Sequence, residues 1–580
     1  MRRREFLEVM LAGGAPSWLP KQVSPHARNA KEDGWRLPDL SFHAREAMGF
    51  LERTVDEQAG IILPYFRITF SDKPGFLDHE HWDWSENLGR WLYGRIFARR
   101  ILNDASNLGF EERIAEQIFR TMGPDGLHYY PNTIACGNER PTGVAILWDN
   151  RSIFMGLTQF WSLTGDQETG RRLKRMFDTL DRYAVRGPHS GQAYYAVDEI
   201  PRGYQPKEVA DFTVGQNTGG FILPFLDYYR LSKDERALNL ALQLAGFVVE
   251  YHLARRPADA GPRLGISNVH GALFAAAGVA ETVRFSGKKK HLEWARELYQ
   301  YTRDHLSSEY GWVAEHEEMR TPRYRPGVQM ATEGCAIVDM VNLAVRLAEQ
   351  GYPDCWDLVE RFSRNYLTEG QLLDTAPLRS DAPRSYNSCS TDQGMPERVR
   401  GAFVGWGGPA DFLHPKARHG PMVQNCCGSH YPFGLHLIWE EIITEATDGI
   451  HVNLGFTHRT PVCEVRSWSP IQGRITARLN KPRDLFVRLP DWIDRSRTVV
   501  QIEGKPVTVP WRGNALHFRG LQAGRTVQVD YPLRREVRAE RFAGYETKAE
   551  WRGDTVLHVS PEGTLVPLFD RREWVKSHGA

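Results

Sequence analysis

The stretch from Phe160 to Asp166 reads FWSLTGD, and stretches of similar character recur along the first three quarters of the chain. They read YYRLSKD at 228–234, VRFSGK at 283–288 and LAEQGYPD at 347–354. Each follows an aromatic or aliphatic segment and precedes a charged amphipathic one, and its Gly, Ser and Asp residues suit the end of one helix and the start of the next. Recurrence at intervals of roughly 60 residues indicates stacked helical hairpins. We therefore predict an (α/α)6 barrel over residues 31–445, with a pocket at the end where its loops converge.

The hydrophobic pattern changes its period near Asp448-Gly449. The segments 450–454, 485–489 and 526–530 read IHVNL, LFVRL and TVQVD, which have the alternation expected of half-buried strands. Turn-forming pairs such as Glu503-Gly504 and Arg512-Gly513 lie between the segments. We therefore predict that residues 446–580 form an antiparallel β-sandwich that packs against the barrel.

The composition excludes some classes of partner. The chain has 73 Lys and Arg residues and 72 Asp and Glu residues, a net charge of +1, and it has no long basic run. A nucleic-acid partner is therefore not expected. The 17 Trp and 21 Tyr residues can serve core packing or can stack on the faces of sugars. The oligomeric state stays open.

The first 30 residues combine basic and apolar character. Residues 2–7 read RRREFL, which resembles a twin-arginine export signal, but the apolar stretch from Val9 to Leu19 is short and interrupted by Gly and Pro. We predict an export signal over residues 1–30 and a periplasmic or secreted protein; the alternative is a flexible basic terminus on a cytoplasmic one. No apolar run reaches the ~20 residues that a membrane span needs.

Three of the seven cysteines fall in two short motifs. One motif is Glu333-Gly334-Cys335 and the other is the pair Cys426-Cys427. Four such ligands from two places in the chain suit a tetrahedral zinc site, whereas an odd number of cysteines with one adjacent pair makes a poor disulfide framework. A catalytic zinc–thiolate site, a structural zinc and buried free cysteines all remain open on this basis.

The first motif has a geometric constraint. Residues two apart on an ideal helix point about 200° away from each other, so Glu333 and Cys335 cannot share a helix face. We therefore place them at a helix start, before the apolar helix that follows. A helix N-terminus also stabilises a thiolate and lowers the pKa of the cysteine.

Two further segments could supply polar side chains to a site. Residues 315–318 read EHEE, either a solvated acidic patch or the source of a proton donor with a raised pKa. His270 lies at a predicted helix start, where a histidine more commonly has a structural role than a ligand-binding one.

Taken in order, these motifs resemble glycoside hydrolase family 127, the β-L-arabinofuranosidase-like enzymes, over most of residues 80–540. The resemblance is based on Glu333-Gly334-Cys335 with its long helix, on the Cys426-Cys427 pair, and on DGIHVNL at 448–454. It continues in RLPDW at 488–492, and includes Gln117 and Asp125-Gly126.

The resemblance implies an (α/α)6 barrel followed by a β-sandwich, and a zinc ion held by Glu333, Cys335, Cys426 and Cys427. It implies that Cys426 is the nucleophile of a retaining glycosidase and that Glu317 is the acid/base. Glu315 and Glu318 are alternatives for the acid/base.

We assign His270 and His430 to substrate binding. The expected substrate is a terminal glycoside of an oligosaccharide or polysaccharide, by default a β-L-arabinofuranoside.

The chain departs from the family pattern at three places: His430 stands where relatives have a residue such as Asn, Gly334 is unusually small, and the tail after about Tyr545 is not explained. Two other classes of function also fit a barrel of this kind. One is a polysaccharide lyase or sugar epimerase, which has no need of Cys426. The other is a non-catalytic carbohydrate-binding protein with a structural zinc.

Overall fold

The computed structural model describes residues 39–56, 63–64, 67–70, 75–78, 84–130, 143–187, 191–201, 204–205, 217–255, 268–317, 327–376, 378, 385–387 and 390–572. The predicted export signal at residues 1–30 and the candidate acid/base Glu318 lie outside these ranges.

The first part of the described chain is mainly helical. Its helices are α1 Leu40–Arg53, α2 Trp84–Leu102, α3 Gly109–Thr121, α4 Leu147–Thr164, α5 Gln167–Tyr183, α6 Ile222–Ser232, α7 Glu235–Arg255, α8 Val269–Ser286, α9 Lys289–Tyr301, α10 Gly334–Glu349, α11 Cys355–Phe362, α12 Met395–Val399 and α13 Asn425–Glu441.

Six of these helices form a closed inner ring. Helix α2 packs against α4, α4 against α6, α6 against α8, α8 against α10, α10 against α13, and α13 closes the ring on α2. Helices α3, α5, α7, α9 and α11 each pack outside the inner helix that precedes them, and α1 packs on α2 and α13. The predicted (α/α)6 barrel is confirmed.

The inner and outer helices differ in their sequence pattern. Outer helix α5 buries Leu173, Met176, Phe177 and Leu180, the spacing of a single apolar face, and exposes charged residues on the other. Inner helix α8 is buried on nearly all sides, as a helix enclosed by neighbours must be.

The predicted hairpin junctions are confirmed at the ends of the helices. Gly165 ends α4 in the left-handed conformation, with φ of 67°, and Asp166 starts α5 by accepting a hydrogen bond from the backbone N–H of Thr169. Gly287 ends α8 in the same way, with φ of 65°. A glycine tolerates this conformation without the steric cost of a Cβ, so the sequence sets the reversal of the chain.

Short strands lie in the loops of the barrel. They are β1 Val55–Asp56, β2 Leu63–Pro64, β3 Arg67–Thr69, β4 Phe76–Asp78, β5 Val144–Ile146, β6 Val185–Arg186, β7 Ala193–Tyr194, β8 Glu199–Pro201, β9 Ser385–Asn387, β10 Ser390–Thr391 and β11 Met422–Gln424. The sheet β11-β3-β4-β10-β9 leads directly into α13.

The rest of the described chain is β-structure. Its strands are β12 Ile443–Ala446, β13 Gly449–Val452, β14 His458–Arg459, β15 Cys463–Ser467, β16 Arg474–Leu479, β17 Arg483–Arg488, β18 Val499–Ile502, β19 Lys505–Pro506, β20 Trp511–Arg512, β21 Ala515–Leu521, β22 Thr526–Asp530, β23 Arg535–Phe542, β24 Tyr545–Arg552 and β25 Thr555–Ser560.

Two sheets form the predicted sandwich, in the strand orders β12-β13-β17-β21-β20 and β14-β15-β16-β22-β18-β19. The prediction of purely antiparallel strands needs one correction, because β13 and β17 run parallel, with Ile450 opposite Leu485. Between them the chain passes through β14, β15 and β16 of the other sheet, which supplies the crossover that parallel neighbours require.

A third sheet, β23-β24-β25, accounts for much of the tail that the sequence left unexplained. It packs on the loop that follows α9: the ring of Trp312 contacts the rings of Phe542 and Tyr545. The Tyr545 hydroxyl is hydrogen-bonded to the carbonyl of Met330 and, at 2.7 Å, to His414 Nε2. The sheet therefore supports the loop that bears the predicted acid/base residues.

Buried charges join the sandwich to the barrel. Arg488, at the end of β17, forms ion pairs with Asp357 and Glu360 of helix α11. Arg364 also pairs with Glu360, at 3.0 Å. Because these groups are buried, removal of one partner would leave an uncompensated charge, so the two parts of the chain are held in one arrangement.

Across the described helices, none is both long enough and apolar enough to cross a membrane.

Candidate metal centre

Three cysteines meet at one end of the inner ring. Cys335 is the second residue of α10, and Cys426 and Cys427 are the second and third residues of α13. Their sulfur atoms all lie within 4.8 Å of one another. The predicted position of Glu333 and Cys335 at a helix start is confirmed, since Glu333 has an extended backbone immediately before α10.

The cluster fits a zinc ion. Zinc binds sulfur at about 2.3 Å in tetrahedral sites, so two sulfur ligands of one ion lie about 3.8 Å apart. The Sγ atoms of Cys426 and Cys427 are 3.8 Å apart. Thiolates also bind zinc in preference to the alkaline-earth cations. The three cysteines could therefore hold zinc without a large rearrangement.

Two candidates for a fourth ligand lie beside Cys335. A carboxylate oxygen of Glu333, a ring nitrogen of His270 and the sulfur of Cys335 lie within 4.8 Å of one another. Asn268, at the start of α8, orients the carboxylate: its Nδ2 donates to Glu333 Oε2 at 3.2 Å while its Oδ1 accepts from the N–H of Gly271 at 2.6 Å.

Side chains four residues apart on the inner helices build the surroundings of the cluster. Cys335 is followed by Asp339 on α10, and Cys426 is followed by His430 on α13. On α2, Arg90 Nε donates to Glu86 Oε1 at 2.6 Å. This spacing places both members of each pair on one helix face, so three helices each direct two polar side chains inwards.

Arg90 connects helix α2 to three other helices of the inner ring. Its Nη1 donates to Cys335 Sγ at 3.4 Å and to the carbonyl oxygen of Cys426 at 3.3 Å, and its Nη2 lies 3.3 Å from His270 Nε2. Its side chain is only 1% exposed, so these contacts are made away from water.

Asp339 links the two histidines. It is hydrogen-bonded to His270 Nδ1 and, at 3.0 Å, to His430 Nε2. The other ring nitrogen of His430 is 2.8 Å from the Tyr93 hydroxyl, whose pKa burial raises. Both ring nitrogens of each histidine therefore have a protein partner. The predicted role of His270 and His430 in substrate binding stays a prediction.

The three thiols do not ionise equally. Burial opposes ionisation of Cys335, but hydrogen bonds from Cys426 and Cys427 and the charge of Arg90 outweigh it and hold the pKa of Cys335 well below its ordinary value. Hydrogen bonds to Cys335 and Cys427 raise the pKa of Cys426, and burial raises that of Cys427. The negative charge of the cluster is thus concentrated on Cys335, and metal binding would displace protons from the other two thiols.

One of the predicted acid/base candidates, Glu315, lies beside the cluster. Glu315 is 2% exposed, its backbone bonds to Val269 and Ala331, and its charge acts on Glu333, whose pKa is raised first by burial and then by Cys335 and Glu315. Glu317 is only partly buried.

The small residue in the first motif has a steric reason. A Cβ on Gly334 would lie 2.2 Å from the carbonyl oxygen of Val404, 2.8 Å from Cε2 of Tyr431 and 3.1 Å from Cβ of Cys427. A side chain there would push α10 away from the cysteine pair. The glycine at position 334 thus allows α10 to pack closely against the Val404 carbonyl and the start of α13.

Sequence reasoning identified Glu333, the three cysteines and His270. The structure places the three cysteines in one group, and Glu333 and His270 in a second group that shares Cys335. Sequence reasoning missed Arg90, Glu86, Asp339 and Tyr93. For Asp339 a signal existed, because it lies four residues after Cys335 on a predicted helix; for Arg90 there was none, since 245 residues separate it from Cys335.

A cavity lies at the end of the inner helices that is opposite to the cysteines. It has a volume of about 1230 Å³ and lies between the C-terminal ends of α8, α10 and α13 and the sandwich. Its lining includes Glu281, Arg346, Glu441, His451 and Arg488. At a rise of 1.5 Å per residue, helix α10 separates it from the cysteines by roughly 20 Å.

No family model matches the sequence, and neither does any curated protein. Solved structures do match. One described as a GH127 β-arabinofuranosidase is 15% identical, with a TM-score of 0.59, over 89% of this chain and 80% of that chain. A GH127 β-L-arabinofuranosidase from Geobacillus stearothermophilus T6 is also 15% identical, with a TM-score of 0.54 and the same coverage.

A third structure, described as a glycoside hydrolase, is 15% identical with a TM-score of 0.56, over 82% of this chain and 78% of that chain. At this identity the likeness establishes the fold, a barrel followed by β-structure.

Proposed function

We propose that the protein is a retaining glycoside hydrolase that uses a cysteine nucleophile, and that its substrates are terminal furanosides, β-L-arabinofuranosides first among them. The observation that supports this most directly is the convergence of Glu333 and three cysteines at the end of an (α/α)6 barrel. The structures with this fold that are described as GH127 β-arabinofuranosidases support the choice of substrate class.

Accessibility favours Cys426 as the nucleophile. Its side chain belongs to a residue that is 9% exposed, whereas Cys335 and Cys427 are 0% exposed. A sugar can approach only a sulfur that solvent can also reach. Cys426 also lies in the first turn of α13, where the helix dipole opposes the neighbouring thiols that raise its pKa.

Glu333, Cys335, Cys426 and Cys427 would hold a zinc ion. When bound, zinc acts as a Lewis acid that keeps the cysteines ionised at neutral pH. The residues themselves perform the remaining steps, which follow the two-step scheme of retaining glycosidases with a thiolate in place of one carboxylate.

In the first step the Cys426 thiolate attacks the anomeric carbon, the bond from that carbon to the leaving oxygen breaks, and Glu317 gives its proton to that oxygen. In the second step Glu317 takes a proton from water as the water oxygen attacks the anomeric carbon. The carbon–sulfur bond then breaks and the thiolate is restored, with net retention of configuration.

Glu315 is the second candidate for the acid/base. It is buried beside Glu333, but its backbone is fixed on both sides by Val269 and Ala331. Glu317 is closer to solvent and matches the family spacing. Substitution of each residue by Gln separates the two candidates.

Trp148 offers a surface for the sugar. It is partly exposed, and its ring centroid lies 5.7 Å from that of His270 in an edge-to-face arrangement. The guanidinium of Arg151 lies 3.7 Å above the same ring and fixes it. A flat aromatic ring held beside His270 suits stacking against the apolar face of a furanose.

The first experiment compares wild type with Cys426→Ser, with Cys463→Ser as the control, since Cys463 is equally a buried cysteine but lies in strand β15. Zinc content is measured by mass spectrometry. Hydrolysis is measured with aryl furanosides as substrates. We expect about one zinc per wild-type chain, and a loss of kcat of at least about 10³-fold in Cys426→Ser only.

Other outcomes point elsewhere. Hydrolysis that survives in Cys426→Ser would exclude a cysteine nucleophile. A wild-type protein that hydrolyses no furanoside but converts a glycan by elimination or epimerisation would favour a lyase or epimerase, and zinc with no turnover of any kind would favour a carbohydrate-binding protein. For the acid/base, Glu317→Gln should lose far more activity on alkyl furanosides than on aryl furanosides, whose leaving oxygen needs little protonation. The same pattern in Glu315→Gln instead would reassign the role.

A further inference from the structure

We propose that Arg90 is a positioning residue that selects the ligands of the metal: it binds Cys335 and the backbone of Cys426 in place and withdraws His270, so that Glu333 is the fourth ligand. This inference rests on the zinc site of the proposed function and concerns what fixes that site.

The side chain of Arg90 reaches three other helices. Arg90 is on α2, yet its guanidinium contacts Cys335 on α10, the Cys426 carbonyl on α13 and His270 on α8. It therefore joins the starts of three other inner helices. A planar group with five N–H donors can make these contacts together, whereas the ammonium group of Lys cannot span them.

The direction of the hydrogen bond between Arg90 and His270 keeps His270 from binding a metal. A guanidinium can only donate, so His270 Nε2 must accept from Arg90, and its lone pair is then not available to a metal. The ring proton is consequently on Nδ1, where it is donated to Asp339. This tautomer points the only free lone pair of His270 at Arg90 rather than at the cysteines.

Arg90 also balances the negative charge of the site. Three thiolates and the Glu333 carboxylate around one zinc carry a net negative charge in a buried site, which is unfavourable without a nearby cation. Arg90 supplies that cation, and Glu86 holds it in place at 2.6 Å. Arg151, whose Nη2 is 3.6 Å from Glu86, adds a second positive charge behind it.

The test is Arg90→Lys, with Arg95→Lys as the matched control. Arg95 is on the same helix and equally buried, but its guanidinium donates to Glu111, at 2.8 Å. Zinc affinity is measured by competition with a chromogenic chelator, and folding by circular dichroism. We expect zinc affinity to fall about 10- to 100-fold in Arg90→Lys and to stay within about twofold of wild type in Arg95→Lys.

Cobalt provides a readout that a general loss of stability would not change. With Co²⁺ in the site, the absorption spectrum depends on the number of sulfur, nitrogen and oxygen ligands. We expect an altered spectrum in Arg90→Lys, because His270 can then compete with Glu333 for the metal. In His270→Gln we expect the wild-type spectrum, since His270 is not a ligand while Arg90 is present.

The outcomes are distinguishable. Wild-type zinc affinity and an unchanged cobalt spectrum in Arg90→Lys would overturn the role of Arg90 and leave the proposed function intact. A cobalt spectrum that changes in His270→Gln would also overturn it, even if Arg90→Lys did not fold. A wild-type protein that binds no zinc would overturn the proposed function, and with it this inference.

Discussion

The two ends of helices α10 and α13 have different chemistry. At the N-terminal ends, cysteines, histidines and carboxylates, including Glu86 and Glu333, lie around Arg90. At the C-terminal ends lies the cavity of about 1230 Å³, lined by charged residues that pair with one another: Glu281 binds Arg230, Arg284 and Arg346.

The comparison shows that cavity size does not locate the chemistry of this protein. Arginine–carboxylate pairs leave few lone pairs for a ligand, so the charged side chains of this cavity mainly bind one another at the boundary between barrel and sandwich. The smaller cluster offers sulfur and carboxylate donors that suit a transition metal. The predictions below separate effects on stability, which both ends should show, from effects on metal binding, which only one should show.

The largest expected effect comes from a buried carboxylate at each end. Asp339→Asn removes an acceptor shared by two histidines, and Glu281→Gln removes one shared by three arginines. Each change leaves buried donors unsatisfied, so we expect each to lower the free energy of unfolding by about 3 kcal/mol, measured by urea denaturation.

The zinc content should distinguish these two variants. Asp339→Asn should retain less zinc than wild type after dialysis against a chelator, because His270, no longer fixed by Asp339, stops holding the Arg90 guanidinium against Cys335. Glu281→Gln should retain as much as wild type. Equal zinc loss in both variants would mean that metal retention follows global stability and would remove the contrast between the two ends.

A smaller effect is expected where the helix starts meet. Gly334→Ala places a Cβ 2.2 Å from the Val404 carbonyl oxygen, so we expect about 1–3 kcal/mol of destabilisation and a weaker zinc site. Gly246→Ala, within helix α7, is the control: its Cβ meets its nearest atom at 3.7 Å, an ordinary contact.

The control should be neutral or more stable by up to about 1 kcal/mol, since Ala favours a helix more than Gly does. Thermal melting of the two variants with zinc bound and removed measures both effects. A Gly334→Ala protein with wild-type zinc affinity would show that the two helix starts can separate without disturbing the cysteines.

The smallest effect concerns the third sheet, which supports the loop of Glu315 and Glu317. Burial raises the pKa of Glu540 to about 7, from an ordinary value of 4.5, and its Oε2 accepts from the N–H of Glu309 at 2.9 Å. The folded state therefore favours the protonated form, so stability is full below about pH 4.5 and falls as the pH rises through about 7.

Glu540→Gln removes this loss. At pH 8 we expect the variant to have a higher melting temperature than wild type and a free energy of unfolding larger by about 2 kcal/mol. Near pH 4.5 the two proteins should be equally stable. Glu546→Gln on the neighbouring strand is the control, since its side chain is 72% exposed, and it should change little at either pH. A difference between Glu540→Gln and wild type that is the same at both pH values would contradict the account.

Much of the fold could be predicted because its signals are local. The junction at Gly165-Asp166 ends and restarts helices through its own backbone and side chains, and the change of period near Asp448 marks the first long strands. The parallel pairing of β13 with β17 could not be predicted, because it depends on which strands of the other sheet intervene.

For the site, the sequence by itself determined the donor types and the position of Glu333 and Cys335 at a helix start, because helix geometry limits what two residues can do. Only the tertiary structure decided that Arg90 contacts Cys335 across 245 residues, that Asp339 holds two histidines, and that Gly334 has no room for a side chain. Contacts of this kind arise when six helices close into a ring, and closure depends on packing across the whole barrel rather than on any one segment.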